Sequence, residues 1–147
     1  MTTIRVVLAV ATHHGWPVAQ MDVKSAFLNG ILEEEVYVQK PQGFEIKGKE
    51  KLVCKLKKSL YGLKQAPRLW YQKFDAFMKS QQFKRSDIDH CLYTKKDMNG
   101  DLLYLILYVD DMLIAAKSCK DINALKIKLH QTFDMKDLGD ANHILGM

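Results

Sequence analysis

The stretch Leu102-Leu103-Tyr104-Leu105-Ile106-Leu107-Tyr108-Val109-Asp110-Asp111-Met112-Leu113-Ile114-Ala115 decides the fold. Two apolar, β-favouring runs are broken at one point only, by adjacent aspartates. Strands this apolar are buried on both faces, so the carboxylates belong where the chain turns, at the tip of a β-hairpin. Two like charges at the edge of a dry sheet repel. A bound divalent cation relieves that repulsion. The alternative is a solvated turn, which Asp favours for its own hydrogen-bonding reasons.

The rest of the chain bounds what such a hairpin can serve. At 147 residues it has the length of one domain, and with 48% hydrophobic and 10% aromatic residues it can bury a core. The net charge of +5 is concentrated. Residues 40–68 hold nine Lys or Arg (Lys40, Lys47, Lys49, Lys51, Lys55, Lys57, Lys58, Lys64, Arg68) against Glu45 and Glu50. A basic stretch of this kind suits a polyanion such as nucleic acid or a nucleoside triphosphate, against the alternative of a solvated lysine-rich loop. Cys54, Cys91 and Cys119 fit neither a disulfide framework nor a zinc knuckle, which points to a reducing compartment. No run reaches membrane-span length and no signal-peptide pattern opens the chain. The chain reads as cut at both ends, entering a helical pattern almost at once and stopping without a closing element.

Outward from the hairpin, Thr2 or Thr3 caps a helix with Ile4, Val7, Leu8 and Ala11 on its apolar face and Gly15 at its end. Val18 to Val23 reads as a mostly buried strand with a single charge, Asp22, an exception that calls for a partner. Lys24 to Gly30 reads as a turn or short helix, and Val36-Tyr37-Val38 and Leu52 to Leu56 as short strands. Pro67 opens a helix whose broad apolar face carries Leu69, Trp70, Phe74, Phe77 and Met78. Leu92-Tyr93-Thr94 is a strand, and Asp97-Met98-Asn99-Gly100 a hairpin turn. Asp121 is expected to cap a last helix with Ile122, Leu125, Leu129 and Phe133 inward. Asp137-Leu138-Gly139 reads as a loop, and His143 to Met147 as the start of another strand. The fold class is α+β: one antiparallel sheet with helices packed on one face, as a single domain over residues 1–147.

Three aspartates then stand out, each at the end or turn of a buried strand: Asp22, Asp110 and Asp111. If the Val18–Val23 strand lies beside the hairpin, they converge. Hard oxygen ligands with open positions suit Mg²⁺, and two such ions assist phosphoryl transfer. Other constellations are weaker. His90 and Cys91 are adjacent and so point to opposite faces of a strand, and Leu60-Tyr61-Gly62-Leu63-Lys64 matches no phosphate-binding fingerprint.

Four blocks carry a resemblance. Gln20-Met21-Asp22-Val23-Lys24-Ser25-Ala26-Phe27-Leu28-Asn29-Gly30 comes first, then Val36 to Phe44. Leu60-Tyr61-Gly62-Leu63-Lys64-Gln65-Ala66-Pro67-Arg68-Leu69-Trp70 and Tyr108-Val109-Asp110-Asp111-Met112 follow. In this order they resemble the reverse transcriptase of copia-type LTR retrotransposons, over nearly the whole chain. The resemblance implies the palm of an RNA-directed DNA polymerase. In it Asp22, Asp110 and Asp111 are catalytic and hold two Mg²⁺ ions, or Mn²⁺ in their place, with the backbone carbonyl of Val23. It implies that Phe27 takes the sugar-gate position, where a ring leaves no room for a ribose 2′-hydroxyl. Tyr61, Gly62, Lys64 and Tyr108 would bind substrate, and Leu145-Gly146 would open the hairpin that positions the primer. The implied partners are a primed RNA or DNA template and a dNTP, in a cytoplasmic retrotransposon particle or the nucleus. The family's fingers, thumb and RNase H portions are missing, so the chain alone is expected to bind Mg²⁺ weakly and polymerise little. The rival expectation is a non-catalytic retrotransposon remnant, at most a basic nucleic-acid-binding module. A weaker rival is an untemplated nucleotidyl transferase.

Overall fold

Strand β7 (Asp111–Ala116) is buried at every position from Met112 to Ala116, which requires cover on both faces. It lies inside a six-stranded sheet of order β4-β5-β6-β7-β1-β8. The partners are β1 (Val18–Val23), β4 (Lys84–Arg85), β5 (Leu92–Lys96), β6 (Leu102–Tyr108) and β8 (Met135–Asp140). All its pairings are antiparallel. Helices α1 (Thr2–His14), α2 (Ala66–Ser80) and α3 (Cys119–Thr132) complete the α+β architecture, with β2 (Tyr37–Val38) and β3 (Cys54–Lys55) forming a separate small sheet. The computed structural model describes residues 2–44, 46–49, 51–144 and 146. Among them no helix is long and apolar enough to cross a membrane.

The chain forms two compact units, residues 1–26 with 74–147, and residues 27–73. In the first, the two faces of the sheet are covered differently. Ile4, Val7 and Ala11 of α1 join Ile106, Leu113 and Ala115 in one buried cluster. Residues alternate faces along a strand, so Met112, Ile114 and Ala116 point the other way. On that side Phe74 of α2 meets Tyr93 of β5 and Phe133 after α3, with ring centroids 5.7 and 6.0 Å apart. Ile122, Leu125 and Leu129 bury the inner side of α3, which lies against β7 and β8. The helices therefore do not share one face as the pattern led one to expect: α2 and α3 take one, and α1 part of the other. A β7 with no polar position between Met112 and Ala116 demands that arrangement.

Two boundaries also differ from the sequence reading. Ser118, not Asp121, caps α3, its side chain accepting the Lys120 N–H, while Asp121 sits in the first turn where the helix dipole favours an acid. Residues 135–140 form edge strand β8 rather than a loop, through pairing with β1. Beyond it, His143 and Ile144 are not in a strand, and Ile144 is buried in the α1 cluster.

The second unit is an antiparallel ladder running from the Ile31↔Lys58 bridge to Tyr37↔Lys55 and Val38↔Cys54. Gly30 sits at its root. A side chain there would come within 2.5 Å of Ser59 Oγ and 2.8 Å of Leu69 Cβ, so only glycine fits. Ser59 donates from its hydroxyl to the carbonyl of Phe27 across the same contact. This unit holds ten Lys or Arg against five Glu and so carries the whole net charge of +5; the first unit has twelve of each sign.

Candidate active site

The β6–β7 ladder ends at the pair Tyr108↔Asp111, leaving Val109-Asp110 as the connection. Val109 has φ +59. A positive φ at the first central residue alone is the sign pattern of a type II′ hairpin turn, a position that favours glycine. A β-branched residue held there stores about 1–3 kcal/mol and persists only where its surroundings fix it. They do so here: the Asp110 carbonyl accepts the Val23 N–H at 2.9 Å, tying the turn to the end of β1.

That tie belongs to a wider register. Along β1 and β7, Val18 pairs with Ala115, Gln20 with Leu113 and Asp22 with Asp111. Residues directly opposite in an antiparallel pair share a face, with Cβ atoms about 4.5–5.5 Å apart. Asp22 and Asp111 are therefore side by side, with Asp110 at the adjoining turn, and all three are partly buried. Burial first, then the charge of Asp110 and more weakly that of Asp22, push the Asp111 carboxyl above the ordinary range, against a hydrogen bond from Gln20. Tyr108, 44% exposed, stands beside Asp111 on the same face.

One further group belongs here. Lys136 on β8 pairs directly with Asp22, so the face reads Tyr108, Asp111, Asp22, Lys136 across four strands. The sequence reading missed it because residues 135–140 carry no strand pattern. Only the pairing with β1 brings this lysine to the aspartates. Lys24, at the exit of β1, is engaged with Asp134 at 3.0 Å.

Among the described residues no three His, Cys, Asp or Glu side chains form a ready-made metal cage. The oxygens the backbone brings to this end of the sheet are the facing carboxylates of Asp22 and Asp111, that of Asp110 at the adjoining turn, and the main chain of Val23. Such a sparse, hard-oxygen set suits a cation that keeps water and substrate oxygens in its shell.

The other substrate-site candidates lie in the second unit. Phe27 is partly buried rather than sunk in the core, its ring 4.6 Å from that of Tyr61. Tyr61 is 57% exposed and is followed by Gly62, at φ +91, and the exposed Lys64. Gly146 lies in a turn, not in a strand, and Leu145 lies outside the described residues.

Comparison with known proteins shows the family. A family model described as "Reverse transcriptase (RNA-dependent DNA polymerase)" matches residues 1–147. The chain belongs to the reverse transcriptase family. It is 55% identical over 147 residues to the Retrovirus-related Pol polyprotein from transposon TNT 1-94 of Nicotiana tabacum, covering 100% of this chain and 11% of that protein. It is 38% identical over 146 residues to the Pol polyprotein from transposon RE2 of Arabidopsis thaliana, covering 99% of the chain and 10% of the relative. The chain thus spans about a tenth of the length of these two relatives. No solved structure matches it.

Proposed function

We propose that this chain is the palm of an RNA-directed DNA polymerase that joins dNTPs to a primer 3′-hydroxyl on an RNA or DNA template. The observation that carries the reading is the register Asp22↔Asp111, with Asp110 at the pinned turn beside them. Asp22, Asp110, Asp111 and the Val23 carbonyl would hold two Mg²⁺ ions, or Mn²⁺. When bound, these would favour the ionised primer hydroxyl and offset charge on the leaving pyrophosphate. The chain's own residues do the rest. The buried β7 and the turn tie fix the backbone that carries the carboxylates, so the groups that would hold the cations stand on a rigid sheet. Lys136, on the same face, offers an ammonium to its phosphates. Phe27, stacked with Tyr61, would contact the deoxyribose and disfavour a 2′-hydroxyl, with Gly62 and Lys64 adjoining in sequence. The basic second unit would track the nucleic-acid backbone.

That concentration of charge also favours a second reading, a nucleic-acid-binding module without catalysis. Primer extension by a Pol polyprotein of the relatives' length that carries this chain at the matching position separates the two. In the polymerase reading Asp110→Asn abolishes extension and leaves primer–template binding largely intact, and Phe27→Val raises ribonucleotide incorporation. Primer–template binding with no extension by the unaltered protein would support the second reading. Undiminished extension by Asp110→Asn would contradict the first.

A further inference from the structure

We infer that Tyr61 is a positioning residue for Phe27, bracing that ring so that it does not yield to a ribose 2′-hydroxyl and so sharing in the choice of deoxynucleotides; this rests on the polymerase reading of the site. The ring of Tyr61 lies 4.6 Å from that of Phe27, centroid to centroid, at an interplanar angle of 50°. Aromatic pairs prefer separations of about 4.5–7 Å and avoid the flat face-to-face sandwich, so this is a full contact in a favourable tilt. A steric filter works only if the group that forms it holds its place. Phe27 is only partly buried, so the surrounding core does not enclose its ring, and the Tyr61 ring gives it a wall.

The chain fixes both ends of this contact. The Phe27 carbonyl accepts the Gly30 N–H at 3.2 Å and also the Ser59 hydroxyl, so two bonds hold its backbone. Ser59 is fully buried, and its N–H donates to the Gly30 carbonyl at 2.9 Å. Tyr61 follows two residues later, in a turn closed by the Leu63 N–H on the Leu60 carbonyl at 3.2 Å. Gly62, at φ +91, takes the third place of that turn, the sign pattern of type II, where glycine is favoured. One segment, residues 59–62, therefore pins the Phe27 main chain and presents the ring that touches its side chain. The contact is made between rings, so it asks for an aromatic side chain at position 61 rather than for a hydroxyl.

Discrimination between a dNTP and the matching rNTP, as the ratio of their kcat/KM values, tests this in a Pol polyprotein of the relatives' length carrying this chain. An aromatic pair of this kind is worth about a 2–10-fold bias. Tyr61→Leu is expected to narrow the ratio by about that factor, while Tyr61→Phe keeps it. A brace acts only through what it holds, so in a Phe27→Val background Tyr61→Leu should narrow the ratio no further. Equal losses for both nucleotides would overturn the inference, since Tyr61 then touches the nucleotide itself or merely holds the fold. So would an unchanged ratio, a ratio narrowed as much by Tyr61→Phe, effects that add to those of Phe27→Val, or failure of Tyr61→Leu to fold. Ring-to-ring nuclear Overhauser effects between Phe27 and Tyr61 in the 147-residue chain check the contact without nucleotide or metal, and their absence would overturn it too. Phe27→Val separates the two levels. If it alone narrows the ratio, only the role of Tyr61 fails. If it leaves the ratio unchanged, or the unaltered protein extends no primer, the gate or the polymerase reading fails and the inference falls with it.

Discussion

Replacing Asp111 by Asn should stabilise the metal-free chain, because it removes a partly buried carboxylate repelled by Asp110 and, more weakly, by Asp22, which faces it across β1 and β7. With side chains rooted about 5 Å apart, Coulomb's law gives roughly 3 kcal/mol at an effective dielectric of about 20, and under about 1 kcal/mol in water. Both groups are partly buried, so the repulsion lies between these limits. Asn keeps the shape and an oxygen that can accept from Gln20, so little is lost in exchange. A net gain of about 1 kcal/mol corresponds to a rise of about 2–4 °C in melting temperature for a chain of this size. The assay is thermal unfolding at neutral pH, low salt and excess EDTA, repeated with millimolar Mn²⁺. In EDTA the Asp111→Asn chain should melt higher. With Mn²⁺ the native chain should gain by mass action and the variant much less, narrowing or reversing the gap. An Asp111→Asn chain that melts at or below the native temperature in EDTA would refute the electrostatic account of this face.

Other outcomes follow from the same structure. Gly30→Ala should destabilise residues 27–73 by about 1–3 kcal/mol through overpacking against Ser59 and Leu69. Hydrogen exchange of the β2–β3 amides should report it, and unchanged protection would show that the contact yields freely. Acid should unfold the chain by a defined route. Thr3 and the Cys91 N–H hold the Asp89 carboxyl below the usual range, and Lys126 does so for Asp137. For Asp75, burial pushes upward but is outweighed by Lys79, Tyr93 and Arg85. Carboxyls lowered in the fold contribute stability that is present above their unfolded values and lost as the pH falls through the native ones. The melting temperature should thus hold from pH 7 to about 5 and fall below about pH 4, less steeply in Asp89→Asn. A melting temperature that holds to pH 3 would contradict this.

How much of this was legible in the letters differs by element. The β6–β7 hairpin was readable because nothing polar interrupts it except the two residues that turn, and the helices because their apolar residues recur at the helical period. The pairing of Asp22 with Asp111 was not written in either strand. It is a register, set when β1 inserts beside β7 with its apolar residues against both helical layers. Strand β8 left no local trace: Met135 is buried and the five residues after it are exposed, as expected of a charged edge strand. Its existence depends on pairing with β1 rather than on propensity, and Lys136 was hidden with it. Ser118 and Asp121 show the same limit on a smaller scale, since either can cap a helix and only the backbone at Ser118 decides. The strain at Val109 was likewise invisible, because a valine between Tyr and Asp suggests continued strand rather than a turn.

The chemistry of this face depends on where a divalent cation binds. Substoichiometric Mn²⁺ added to the ¹⁵N-labelled chain broadens the amide signals nearest the ion. The expected result is broadening centred on Asp22, Val23, Asp110 and Asp111, sparing the Asp97–Asp101 turn at the opposite end of β6, about 20 Å away along the strand. Broadening strongest at that acidic turn, or spread evenly over the surface, would contradict the claim that these three aspartates form the metal site.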